Sequence, residues 1–198
     1  MAGQTPSQTV GPYYAIGLTQ AIFGRRQLAG NVLASPDTPG EHIRLEGRVF
    51  DGAGDPVEDA MLEIWQADAD GRYAHPLDDE RGERADKTFR GFGRAGTNPQ
   101  GQFSFETVKP GAVPGTGNNW QAPHLNLIVF SRGLLSHAFT RIYFSDEAEA
   151  NESDQILNLV EPARRATLIA RRDGQGVPAI FRFDIHLQGD KETVFLEA

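Results

Sequence analysis

Phe181, Phe183, Ile185 and Leu187 stand at strict two-residue spacing, with Arg182, Asp184, His186 and Gln188 between them. Only an extended chain puts every second residue on one face, so this stretch predicts a half-buried β-strand and excludes an amphipathic helix. The same period recurs upstream. Ile43, Leu45 and Val49 alternate with polar neighbours until Asp51-Gly52-Ala53-Gly54 turns the chain, and Ala60 to Trp65 continues as a second strand. Phe103 and Phe105, then Leu125, Leu127 and Val129, then Phe139 to Phe144 supply further strands. Most of the 22 glycines and 12 prolines fall between these runs. Strands separated by turn signals predict a mainly β fold with an antiparallel β-sandwich or barrel core and short helices in its loops. One short helix is expected within Asp146 to Asn158, with Asp146 as its cap and Glu147 and Glu149 in its first turn.

At 198 residues the chain is expected to form one domain, and 39% apolar residues supply enough burial to offset conformational entropy. A formal net charge of −8 argues against nucleic acid or an anionic membrane surface as the main partner, since both are polyanions. There is no cysteine, so a metal here would need His, Tyr, Asp or Glu, the harder oxygen and nitrogen donors. Met1 to Val10 lacks the basic start and apolar run of a secretory signal, and no eighteen apolar residues follow one another. A cytoplasmic location is the expectation.

Residues 1–40 read as an extended arm and linker packed on this domain or on a neighbouring chain, and residues 41–198 as the β domain. Two prolines and a pre-proline glycine forbid a regular helix across Thr5 to Tyr14. Ala15 to Leu33 has no clean period and reads as loop with room for a short helix. Gly91-Phe92-Gly93-Arg94-Ala95-Gly96 satisfies the dinucleotide-binding pattern, but a turn and the Phe103 strand follow it where a phosphate-binding helix is required. Nucleotide binding is not expected.

The chemistry-bearing residues spread over three segments: Trp65-Gln66-Ala67-Asp68-Ala69-Asp70-Gly71-Arg72-Tyr73, Lys109-Pro110-Gly111-Ala112-Val113-Pro114, and Trp120-Gln121-Ala122-Pro123-His124-Leu125-Asn126. Together with Gly47-Arg48-Val49 and Arg141-Ile142-Tyr143-Phe144, they resemble the intradiol ring-cleaving dioxygenases. The resemblance implies a ferric site made, in catalytic chains, by two tyrosines and a His-x-His pair. Tyr73 and His124 match two of those positions, while Val113 and Asn126 occupy the other two. Valine has no lone pair, and a neutral amide oxygen is a weaker donor than imidazole. Gln121 stands where the family places an arginine near the histidines. The pattern is similar to the metal-free chain of two-chain members. It implies Fe(III) in a paralogous partner, and protocatechuate and dioxygen at a shared site.

By that resemblance, Thr9, Gly11, Pro12 and Tyr13 of the arm, together with Arg132, would line the partner's substrate pocket. Arg132 could attract the substrate carboxylate. Gly11 permits close backbone approach and Pro12 stiffens it. The arm residues would equally suit an ordinary turn, and Arg132 a solvated strand end. Two other readings stay open from sequence: a stand-alone binding sandwich without catalysis, and an independent iron enzyme drawing ligands such as His75 or His137.

Overall fold

The computed structural model describes residues 17–19, 24–26, 28–78 and 89–197. Within them the alternating runs form strands β1 (His42–Phe50), β2 (Met61–Trp65), β3 (Phe92–Gly96), β4 (Gln102–Val108), β5 (Val113–Pro114), β6 (Trp120–Gln121), β7 (His124–Phe130), β8 (Ala138–Phe144), β9 (Ile169–Asp173), β10 (Ala179–Arg182) and β11 (Ile185–His186). Nine of them make one long sheet in the order β11-β1-β10-β9-β8-β7-β2-β3, with β4 on β1, and β5 pairs with β6 separately. Most pairings are antiparallel; β1 with β10, β1 with β11, and β8 with β9 are parallel. The expected arm residues Thr9, Gly11, Pro12 and Tyr13 lie outside the described residues.

The two-residue period does what sheet geometry requires of it. Leu45, Val49, Leu62, Ile64, Phe105, Leu125, Leu127, Val129, Ile142, Phe144, Phe181 and Ile185 are fully buried in one core that both arms of the curved sheet enclose. Phe144 and Phe181 meet edge to face at 5.0 Å across it. A smaller apolar cluster of Ala122, Tyr143, Leu157, Val160 and Leu168 sits beneath the helices.

The run at Phe181 to Leu187 keeps its alternation but is broken into β10 and β11. At the break the Phe183 amide donates to the Glu46 carbonyl, and the Asp184 carboxylate takes the Arg48 amide. Gly47 makes this crossing possible, since a Cβ there would stand 1.7 Å from the Phe183 carbonyl oxygen.

Two short helices, α1 (Ala148–Ser153) and α2 (Gln155–Leu159), follow β8. The expected cap is displaced by one residue: Glu147 is the N-cap of α1 and caps nothing with its side chain. The Asp146 carboxylate is already engaged, by Lys109 at 3.0 Å and Arg172 at 2.9 Å. Although burial opposes ionisation, those two cations hold Asp146 below the usual carboxylate range.

Gly30 to Leu33 lies across the gap between β3 and β4. The Arg94 amide of β3 donates to Gly30, while Asn31 and Leu33 exchange backbone bonds with Glu106 of β4. The Asn31 amide adds a bond to the Ser104 carbonyl. This four-residue strap makes the sheet nearly a closed barrel.

Candidate functional site

Tyr73 reaches the sheet on a turn that Asp68 organises. The Asp68 carboxylate accepts from the amides of Asp70 and Arg72, and its carbonyl accepts from Gly71 and Gly111. Gly71 has φ +73°, and a Cβ there would lie 1.9 Å from the Ala112 carbonyl oxygen. Only glycine lets the Asp68–Tyr73 turn press against the segment carrying Val113. The Tyr73 amide donates to Asp78 at 2.7 Å, and its ring stacks on Trp65 at 5.9 Å. Gln66 ties the same strand end inward: its amide nitrogen donates to Ala67 and Val108, and its oxygen accepts from Thr107.

Strand register brings in the rest. Asn126 of β7 lies opposite Trp65 of β2 on one side and Arg141 of β8 on the other. His124 lies opposite Tyr143 on the same face, two residues away. Val113 lies opposite Gln121 in the β5–β6 pair, and Arg141 donates to the Gln121 side-chain oxygen at 2.6 Å. Tyr73, Val113, His124 and Asn126 therefore converge, as the sequence predicts. Arg141, opposite Asn126, has no such signal in the sequence, because its place follows from register and register is invisible in a strand read alone.

His124 is 3% exposed. Its Nδ1 bonds the Ala122 carbonyl at 2.8 Å; a carbonyl can only accept, so the proton sits on Nδ1 and Nε2 keeps its lone pair. Burial, reinforced by the Arg141 charge, pushes its pKa down to about 4. Burial raises the Tyr73 phenol, against the pull of Arg141 and a hydrogen bond with Asn126. Burial and the Asp154 charge raise Tyr143 as well. The two retained ligand-type residues are thus a neutral imidazole and a protonated phenol.

His124 also sets a pH dependence. An unfolded imidazole titrates near 6.5 and the folded one near 4, so its contribution is fully present above 6.5 and is lost as pH falls towards 4. Between pH 7 and 4.5 this should cost about 2–3 kcal/mol. Urea midpoints of the wild type and His124→Gln at both pH values check it. The variant should show the shallower dependence, since carboxylates such as Asp146 weaken the fold in acid in both proteins.

The donor set does not fit a ferric ion. Val113 offers no donor, Asn126 is neutral and already bonded to a phenol that burial keeps protonated, and a guanidinium stands among them. Among the described residues no group of three or more His, Cys, Asp or Glu could hold a metal. A cavity of about 470 Å³ beside the cluster is lined by Trp65, Tyr73, His75, Leu77 and Asp78. A larger one, about 710 Å³, lies over β1, β3 and β4 among Arg48, Arg94, Arg182, Glu46 and Asp184, and shares no residue with the cluster.

Arg132 is not part of the cluster. It follows β7 at the end opposite His124, roughly 20 Å along the strand. Its side chain is 58% exposed and donates to Asp59 at 2.6 Å, with Glu58 at 3.6 Å. Phe92–Gly96 of that pattern is strand β3, antiparallel to β2, with Gly91 just before it and no helix following. No helix among the described residues is long and apolar enough to cross a membrane.

A family model described as "Dioxygenase" matches residues 11–189. The protocatechuate 3,4-dioxygenase alpha chain of Burkholderia cepacia is 50% identical over 199 residues, covering 98% of this chain and 97% of that one. The beta chain from the same organism is 34% identical over 172 residues, covering 84% of this chain and 72% of that one. Among solved structures, the dioxygenase domain of a carbohydrate-binding fusion protein from Streptomyces sp. SirexAA-E superposes with a TM-score of 0.62 at 24% identity, covering 94% of this chain and 99% of that one.

Proposed function

Because this chain belongs to the intradiol ring-cleaving dioxygenase family, we propose that it is the metal-free, alpha-type subunit of a protocatechuate 3,4-dioxygenase. With a beta-type partner it cleaves protocatechuate with dioxygen between the two hydroxyls, giving 3-carboxy-cis,cis-muconate for the β-ketoadipate route of aromatic catabolism. The single observation that carries this reading is the pairing of near-full-length similarity to alpha chains with a ligand cluster that lacks two of four donors. Fe(III), protocatechuate and dioxygen belong to a site that the partner completes. The assembled enzyme is cytoplasmic.

This chain's contribution is positional. Thr9, Gly11, Pro12 and Tyr13 line the shared pocket from the arm, and the strap at Gly30 to Leu33 anchors the chain that follows. Arg132, exposed and outside the sheet core, presents a cation for the substrate carboxylate. Its guanidinium is paired with Asp59 and Glu58, and the substrate carboxylate competes with them for it.

The test is to purify the full chain alone and with its beta-type paralogue, then measure iron content and oxygen uptake with protocatechuate. The lone chain should carry no stoichiometric iron and consume no oxygen, and the pair should do both; turnover by the lone chain would sink the reading. In the assembled enzyme Arg132→Ala should raise KM for protocatechuate roughly ten-fold, with kcat moving less, as expected for loss of ground-state binding. An unchanged KM removes Arg132 from the pocket.

A further inference from the structure

Tyr73, His124 and Asn126, three of the residues at the four ligand positions, lie around one side chain that is itself a cation. Arg141 stands directly opposite Asn126 in the β7–β8 register. It donates at 2.6 Å to Gln121, the residue paired with Val113 in the β5–β6 ladder. Its charge acts on both Tyr73 and His124, and its guanidinium approaches the Tyr143 hydroxyl. Its Nε is buried with no hydrogen-bond partner. The fork thus places its charge among these residues while one of its five donors goes unused.

We propose that Arg141 is a resident cation in the place of a metal ion, and that its guanidinium, together with the two missing donors, closes this site to metal. The charge is fixed by the fold and does not depend on supply, so the cluster stays assembled with no ion bound. His124 keeps the tautomer of a metal ligand, with Nδ1–H on a backbone carbonyl and Nε2 bare, yet faces a positive charge. Restoring donors at Val113 and Asn126 alone therefore leaves two positive charges competing for one space. The inference rests on this chain's own residues and not on the partner, so its failure would leave the proposed function standing.

The experiment rebuilds the donors with and without the arginine. Full-length chain carrying Val113→Tyr and Asn126→His is compared with the same pair plus Arg141→Gln, each loaded with ferric citrate and desalted. Bound iron and the visible absorption of an iron-bound phenolate are read, neither of which requires turnover. The triple variant should take up stoichiometric iron and colour, with the double variant binding roughly 10- to 1,000-fold more weakly, the range one neighbouring charge imposes on a protonation equilibrium. Arg141→Lys in the double background keeps the charge and should stay metal-poor. Equal loading with Arg141 present, or full loading with lysine, overturns the proposal. Should the triple variant fail to fold, Asn126→His with and without Arg141→Gln is titrated with Co(II). At least ten-fold tighter binding without the arginine is then expected, and equal binding refutes it.

Discussion

Asp154→Ala is expected to remove about 3–5 kcal/mol of stability, a large part of what a domain of this size has to lose. Asp154 is fully buried, and its carboxylate joins three elements. One oxygen accepts from the Ala122 amide at 2.8 Å; the other accepts from the Leu157 amide at 2.8 Å and the Tyr143 hydroxyl at 3.0 Å. It thereby caps α2 and fixes the entry to β7 just before His124. Removing it strands three buried donors where water does not reach. Thermal unfolding should fall by roughly 10 °C, from the size scaling of domains this long. Asp154→Asn should cost less, because its oxygen can still serve Leu157 and Tyr143 while its NH2 opposes only the Ala122 amide. Equal loss in both variants would mean that shape, and not acceptor capacity, matters at this position.

Gly71→Ala is expected to cost about 2–4 kcal/mol, more than left-handed backbone alone explains. An alanine at φ +73° is strained on its own, and its Cβ would collide with the Ala112 backbone 1.9 Å away, which cannot step aside as a side-chain tip could. The turn must then lift from the Lys109–Val113 segment, carrying Tyr73 off Trp65. Gly54→Ala is the control: φ is +88° but nothing lies within 4 Å, so only the backbone preference is lost, about 1–2 kcal/mol. Denaturant midpoints measure both, and near-ultraviolet dichroism should report loss of the Trp65–Tyr73 stack in the first variant alone. Similar costs for the two glycines would show that the close approach is soft.

Strands with a buried side were legible because alternation is local: β1 carries Ile43, Leu45 and Val49, β4 Phe103 and Phe105, and β7 Leu125, Leu127 and Val129 on one face. Strand β3 carries no alternation beneath its failed nucleotide pattern, since glycine and alanine give no apolar contrast. Its burial comes from elsewhere, with Gly93 so close to Leu33 that a Cβ would lie 2.4 Å from it. Strand β9, Ile-Ala-Arg-Arg-Asp, was missed because Ala170 is its one buried residue. Parallel pairing of β1 with β10 and β11 had no signature either, for it joins segments more than a hundred residues apart. The four ligand positions were legible by motif. The cation among them was not, although Arg141 lay within a noted segment, because only cross-strand register carries it to Asn126.

The strap from Gly30 to Leu33 has a colloidal consequence. Each open edge of a sheet displays a row of free amides and carbonyls, a template on which another chain can grow. Here β3 and β4 offer two such edges side by side, and one short segment occupies polar groups on both. That cover leaves fewer edge groups on β3 and β4 open to pairing with another chain. Protection of two sheet edges is thus written into four linker residues.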